Sequence, residues 1–175
     1  MTYAEPFKHI AISLSGGGYR ATCFHLGALS YLNELKVDDK PLLHRVEVVS
    51  TISGGTLTGV MYALHSAKAE DGSGFLSCFH KLYGLLHEDK LLLRAFENLN
   101  STKTWPNQTK TKDLINAFAE VYDEYFYDKE HFSLLFDDNN SHIKDFVFGS
   151  TEIYHGLQFR FQTSGDFGNG KFNLS

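Results

Sequence analysis

Only two cysteines occur in the 175 residues, Cys23 and Cys78, too few and too far apart for a disulfide framework or a zinc-binding spacing. The expectation they carry is a pair of reduced, buried thiols in a cytoplasmic protein. A basic surplus is also missing, since 16 Lys and Arg face 21 Asp and Glu and the formal charge is -5. That balance excludes nucleic acid as a partner, and the chain as a whole has no charge to draw it to anionic lipid. Long apolar runs are absent as well. Near the N-terminus the longest, Ile10 to Leu14, falls far short of a signal-peptide core or of the roughly 20 residues that span a bilayer. The chain is therefore expected to be neither exported nor anchored, with any membrane contact peripheral. The Asn-x-Ser/Thr sequons at Asn100, Asn107, Asn139 and Asn173 are accordingly expected to be chance matches. With 42% hydrophobic and 21% charged residues and no internal repeat, the composition fits one globular domain over 1–175.

What is present reads as alternating strands and helices. Apolar residues dominate His9 to Leu14 and three glycines follow at once, the pattern of a buried strand ending in a tight loop. Phe24, Ala28, Tyr31 and Leu35 then recur at helical spacing, widened by Leu29 and Leu32, and predict a helix over Tyr19 to Leu35. A second unit repeats the pattern, with a strand at Val46 to Ser50, a turn at Thr51 to Gly55 and a helix face of Leu57, Val60, Met61 and Leu64. Two such units imply an α/β fold with a mostly parallel sheet between layers of helices. Further along, Phe75, Phe79, Leu82 and Leu86 predict another helix, continued in modified form through Leu91 to Phe96, and Asn98 to Thr109 reads as a loop. Leu114, Phe118, Val121, Tyr122 and Tyr125 restore helical spacing. The aromatic cluster of Tyr122, Tyr125, Phe126 and Tyr127 fits core better than a lipid contact. Asp145 to Ile153 and Gln158 to Thr163 predict a hairpin at the margin of the sheet, and Ser164 to Ser175 is rich in Gly and Asn with no capping helix or obvious stop.

Two strand-to-helix junctions carry the candidate chemistry. Ser15-Gly16-Gly17-Gly18-Tyr19-Arg20 is one, and glycines there let the backbone aim successive N–H groups at an anion, a phosphate or a transient oxyanion. A Walker loop is ruled out because Gly-Lys-Ser/Thr is missing, and the Gly-x-Gly-x-x-Gly fingerprint fails at Ala21. Taken alone, the same three glycines also suit a turn that merely packs tightly. The other junction, Thr51-Ile52-Ser53-Gly54-Gly55-Thr56, has the form of a nucleophile elbow, with Ser53 on a sharp turn between small residues. Thr51 replaces the usual first glycine, and Ser53 would serve equally as a helix cap. Parallel neighbouring strands bring both loops to the carboxyl edge of the sheet, where one supplies donors for the oxyanion that the other's serine creates. His25 is the histidine nearest these loops in sequence, and a surface or hydrogen-bonded core position suits it better than a base.

In these two loops the sequence resembles the patatin-like phospholipases. Their oxyanion loop, usually Asp-Gly-Gly-Gly-x-Arg-Gly, is similar to Ser15 through Ala21, with Ser15 in place of the acid and Ala21 in place of the last glycine. Their elbow is similar to Ser50-Thr51-Ile52-Ser53-Gly54-Gly55. Downstream, Ser150-Thr151-Glu152-Ile153 with Gly156, Phe159, Arg160 and Phe161 resembles the strand pair of bacterial members. The resemblance implies a three-layer α/β/α fold and a lipid acyl hydrolase with a Ser–Asp dyad, using no cofactor or metal. It implies Ser53 as nucleophile, Gly16, Gly17 and Gly18 around the oxyanion, and Thr51, Gly54 and Gly55 as the elbow. Arg20 supports the loop or meets a lipid phosphate, unless it forms a purely structural salt bridge. Phospholipids or other lipid esters are the implied substrates, with transient contact at a membrane surface. Two other classes stay open, a serine hydrolase with a His-containing triad and a non-catalytic binder of lipid or anions.

The resembled family carries its dyad Asp in an Asp-Gly turn after the downstream hairpin and an intervening helix. Here the only Asp-Gly pair is Asp71-Gly72, on the wrong side in chain order. Asp166, in Asp166-Phe167-Gly168, is the nearest substitute. The resemblance therefore implies a chain truncated at its C-terminus, with the dyad Asp beyond residue 175.

Overall fold

The computed structural model describes residues 7–69, 74–88, 90–100, 105, 109–136, 141–164, 167–169 and 172–174. Strand β1 (Ile10–Leu14) leads into α1 (Gly18–Glu34); a small antiparallel pair, β2 (Lys36–Val37) and β3 (Lys40–Pro41), follows. Asp38 and Asp39, both at positive φ, make its two-residue turn, a feature without a counterpart in the sequence reading. Strand β4 (Val46–Ile52) then feeds α2 (Gly54–Lys68), succeeded by α3 (Phe75–Glu88), α4 (Leu91–Asn100) and α5 (Leu114–Val121). A π-helical stretch, Tyr122–Phe126, prolongs α5. Strands β5 (Asp145–Glu152), β6 (Leu157–Gln162), β7 (Phe167–Asn169) and β8 (Phe172–Leu174) complete the order.

The main sheet runs β1-β4-β5-β6-β7-β8. Strands β1, β4 and β5 are parallel, and each later strand is antiparallel to its neighbour. This mixed sheet flanked by helices is the three-layer α/β/α arrangement. Between Ile10 and Ala11 the pairing slips past Glu47 of β4, and this extra residue lets Val46, Val49 and Thr51 all be buried. Among the described residues, no helix is long and apolar enough to cross a membrane.

Helix α2 is the centre of the packing. It touches β1, β4 and β5 on one side and α1 and α3 on the other. Small residues at every fourth position, Gly55, Gly59, Ala63 and Ala67, are all buried and bring its axis close to its neighbours. Met61 and Tyr62 between them are fully buried, each contributing roughly 1.5–3 kcal/mol of hydrophobic stabilisation.

Several expectations from sequence need correction. Helix α1 forms where predicted but turns a different face inward: Phe24 and Tyr31 are 72% and 65% exposed, whereas Thr22, His25, Leu26 and Leu29 are buried. Counting apolar residues misses this face because Thr22 and His25 satisfy their polar atoms internally. Cys23 lies on the outward side and is exposed; Cys78 alone is the expected buried thiol, its pKa pushed up to about 12 by burial. The modified continuation of α3 is a separate helix, α4, which runs to Asn100 where a loop was expected from Asn98. The β5–β6 hairpin is not marginal, since β7 and β8 lie beyond it, within the Gly- and Asn-rich stretch for which no strand was expected. Short three-residue strands leave too little pattern for periodicity to detect. The aromatic cluster is core as expected, with Phe126 buried and Tyr122, Tyr125 and Tyr127 packed against it.

His65, in the last turn of α2, ties this helix to α3, its Nδ1 lying 2.9 Å from Ser77 Oγ. Burial, then the charges of Lys81 and Lys68, hold its pKa below the usual 6.5, against a smaller opposing pull from Asp128. The fold therefore disfavours the charged imidazole, and the unfolded chain takes up a proton that the folded one refuses. Stability from this source is complete above about pH 6.5 and declines as the pH falls toward the lowered folded value. His65→Gln should make the fall in urea midpoint between about pH 7.5 and about pH 5.5 smaller than in the parent chain; an equal fall would remove His65 from the acid response.

Candidate active site

Register decides what lies beside what. Ser13 pairs with Ser50 and Leu14 with Thr51 in the parallel β1–β4 ladder, so the loops after the two strands leave the same edge of the sheet side by side. The first loop turns through Gly17 at φ 143° and Gly18 at φ 60°, conformations that side-chain-bearing residues rarely adopt. In the second, Ser53 has φ 52° and ψ -123°, a strained pair for a non-glycine residue, and it stands between the last residue of β4 and the first of α2. Its side chain is exposed and makes no cap bond to the helix, which sets aside the capping alternative.

The two loops touch through their backbones. A Cβ added to Gly16 would lie 3.1 Å from Ser53 Cβ and 3.7 Å from Ser53 Oγ. One added to Gly54 would meet the Gly18 carbonyl oxygen at 2.2 Å, and one on Gly55 the Leu14 carbonyl oxygen at 2.2 Å. Glycine at the start of α2 is thus required by the chain lying across it. Thr51 takes the place of the elbow's usual first glycine, and the space for it comes from Gly59, where a Cβ would sit 2.3 Å from Thr51 Cγ2. Thr51 Oγ1 lies 3.1 Å from Thr56 Oγ1, spanning the turn.

Two side chains missed as site residues hold this contact. The fully buried Thr22 hydroxyl donates to the Gly54 carbonyl at 2.9 Å and lies 3.1 Å from the Gly18 carbonyl, while Thr58 donates to the Thr22 carbonyl at 3.1 Å. His25 Nε2 donates to the Ser15 carbonyl at 2.9 Å, which makes it the hydrogen-bonded core histidine that was expected and a support of the glycine loop. Hydroxyl and imidazole groups facing inward from α1 were the available signal. Arg20 is exposed, and the ion pairs found among the described residues do not include it. Asp166 and the pair Asp71-Gly72 lie outside the described residues. No described carboxylate or imidazole hydrogen-bonds to Ser53.

Ser53 opens onto a groove of about 790 Å³. Gly18, Tyr19 and Gly54 share its polar end, and Leu57, Leu92, Ile115 and Phe118 form apolar walls. Ile115, Phe118, Ala119 and Tyr122 all line it, at i, i+3, i+4 and i+7 of α5 and its π-helical extension. The Tyr122 hydroxyl lies 3.4 Å from that of Tyr19 and joins this wall to the glycine loop. None of the α4 and α5 residues was marked from sequence as part of a site, because they come from distant segments and look like ordinary helix faces. A strained serine beside a glycine-rich backbone loop and an apolar channel together suit acyl transfer from a substrate with a hydrocarbon chain.

Among protein families, the model of the patatin-like phospholipases matches residues 12–165. Neither the curated proteins nor the solved structures return a match.

Two substitutions should change stability in opposite directions. Ser53→Gly removes a strain of about 1–3 kcal/mol and adds roughly 0.5–1 kcal/mol of unfolded-chain entropy, a net gain of about 1 kcal/mol. Gly54→Ala forces the Gly18 carbonyl away and should cost about 3 kcal/mol. Urea denaturation of both variants checks the pair, and an unaffected Gly54→Ala protein would contradict the close loop contact.

Proposed function

The chain belongs to the patatin-like phospholipase family, a family of lipid acyl hydrolases, and on that premise we propose that it is a serine acyl hydrolase with Ser53 as nucleophile. Its substrate is a phospholipid or another lipid ester, met at a membrane surface, with the acyl chain lying in the apolar groove. The observation that carries this reading is the strained Ser53, backed by the Gly16–Gly18 loop and open to that groove.

In the proposed reaction Ser53 Oγ attacks the ester carbonyl carbon while its proton passes to a carboxylate base. Charge collects on the carbonyl oxygen, where N–H groups of the Gly16–Gly18 loop stabilise it by roughly 2.7–4 kcal/mol per donor. The tetrahedral centre then collapses, the bond to the alcohol oxygen breaks, and the leaving alkoxide takes the proton. Water attacks the acyl-serine with the help of the same base, releasing the fatty acid and restoring Ser53. Thr51, Gly54 and Gly55 keep the elbow in shape, and Arg20, at the rim of α1 and unpaired among the described residues, is available to a lipid phosphate. The proposed base is Asp166 or, as the family resemblance implies, an Asp beyond residue 175.

Ser53→Ala should lower hydrolysis of a chromogenic ester by at least about 10⁴-fold and abolish labelling by a fluorophosphonate, with the circular dichroism spectrum unchanged. Full turnover by the folded variant would remove Ser53 from the chemistry. Hydrolysis by the 175-residue chain that disappears in Asp166→Asn would assign the base to Asp166; labelling with little turnover would assign it downstream.

A further inference from the structure

Two helices start side by side at the site. Helix α1 begins at Gly18, within the glycine loop, and α2 begins at Gly54, directly after Ser53. The strands that feed them are aligned by the β1–β4 ladder only as far as the pairing of Leu14 with Thr51. Beyond that level the two loops meet glycine on glycine, Gly54 against Gly18. Glycine has no side chain to interlock and the widest backbone freedom of any residue. Something else must fix how the loops sit against each other.

Thr22 reaches both. Its fully buried hydroxyl donates to the Gly54 carbonyl at 2.9 Å and lies 3.1 Å from the Gly18 carbonyl. One carbonyl belongs to the residue after Ser53, the other to the last glycine of the loop. A second fully buried hydroxyl, on Thr58 one turn into α2, donates back to the Thr22 carbonyl at 3.1 Å. The residue that spans the two helix starts is therefore itself held in place.

Folding alone does not ask for this hydroxyl. In α-helical pairing the Gly18 carbonyl accepts from Thr22 N–H and the Gly54 carbonyl from Thr58 N–H, so both acceptors are satisfied without it. Threonine is a middling helix former, and valine, of the same shape, would avoid burying a polar group. What the hydroxyl adds is a directional bond between two backbones that otherwise touch without side chains. Alignment matters to the chemistry because a misplacement of about 1 Å at a reacting centre can cost about 10²-fold in rate.

We propose that Thr22 is a positioning residue, its hydroxyl fixing the separation of Ser53 from the Gly16–Gly18 loop so that the loop's N–H groups meet the oxyanion formed at Ser53. This rests on the reading of Ser53 as nucleophile, and it adds the group that aligns the two halves of the site.

The test is the rate at which a fluorophosphonate labels the full chain, with the label mapped to Ser53 by mass spectrometry. In that reaction Ser53 Oγ bonds to phosphorus, fluoride leaves, and the phosphoryl oxygen takes the place of the oxyanion. Thr22→Val keeps the shape and removes the hydroxyl. Its limiting labelling rate should fall at least about tenfold, while the half-saturating probe concentration, set by the groove, stays within about twofold of the parent's. Thr22→Ser loses the buried methyl group but keeps the hydroxyl, and should label within about threefold of the parent rate despite a lower urea midpoint. Ser66→Ala is the stability control. It too removes a fully buried hydroxyl from α2, one that lies 2.8 Å from Ser141 Oγ at the other end of the helix, and it should label at the parent rate. A folded Thr22→Val protein that labels like the parent overturns the proposal, as does a Thr22→Ser protein as slow as Thr22→Val. An equal rate loss in Ser66→Ala overturns it as well, because labelling would then follow stability and not position. A parent chain that takes up no label, or a Ser53→Ala chain that takes up as much, refutes the nucleophile and the positioning role with it, a result separate from normal labelling of Ser53 in Thr22→Val, which refutes the positioning role alone.

Discussion

The backbone of the Ser15–Gly18 loop lies directly on the first turn of α2, so closely that a single methyl group at Gly54 or Gly55 would overlap a carbonyl oxygen. Most of the molecule's arrangement follows from keeping that contact. It demands glycine on both sides, a parallel β1–β4 pair in the register that aligns Leu14 with Thr51, and an α2 thin enough to be enclosed by sheet and helices. Thr22, reaching from α1 to the Gly54 carbonyl, supplies the polar link across it. Close-packed interiors transmit such constraints because there is no free volume to absorb a displaced atom.

Strain at Ser53 belongs to the same arrangement. A residue held at φ 52° and ψ -123° persists only where its surroundings over-determine it. Here β4 ends and α2 begins on either side, with the glycine loop behind, leaving the side chain outward as the remaining direction. The result is a hydroxyl that is exposed, uncommitted to capping and directed at an apolar channel. A protein selected for stability alone would place glycine there.

The groove shows how far apart in sequence one surface can originate. Its polar end comes from residues 18–54 and its walls from α4 and α5, with the Tyr19–Tyr122 contact bridging 103 positions.

Sequence alone determined the two strand-loop-helix units, the positions of both glycine-rich junctions and Ser53 on the turn of the second, because these depend on local chemistry: glycine's conformational range, β-branched runs and helical spacing. It also located the aromatic cluster in the core. The inward face of α1 was decided only in three dimensions, since Thr22 and His25 become buriable once the Gly54 and Ser15 carbonyls are there to accept their hydrogen bonds. The same holds for Thr51 at the elbow, whose methyl group is accommodated by the missing side chain of Gly59, and for β7 and β8, too short to show a period. Where a residue's role rests on its own conformational preferences the sequence suffices; where it rests on a partner from another segment, only the tertiary structure supplies that partner.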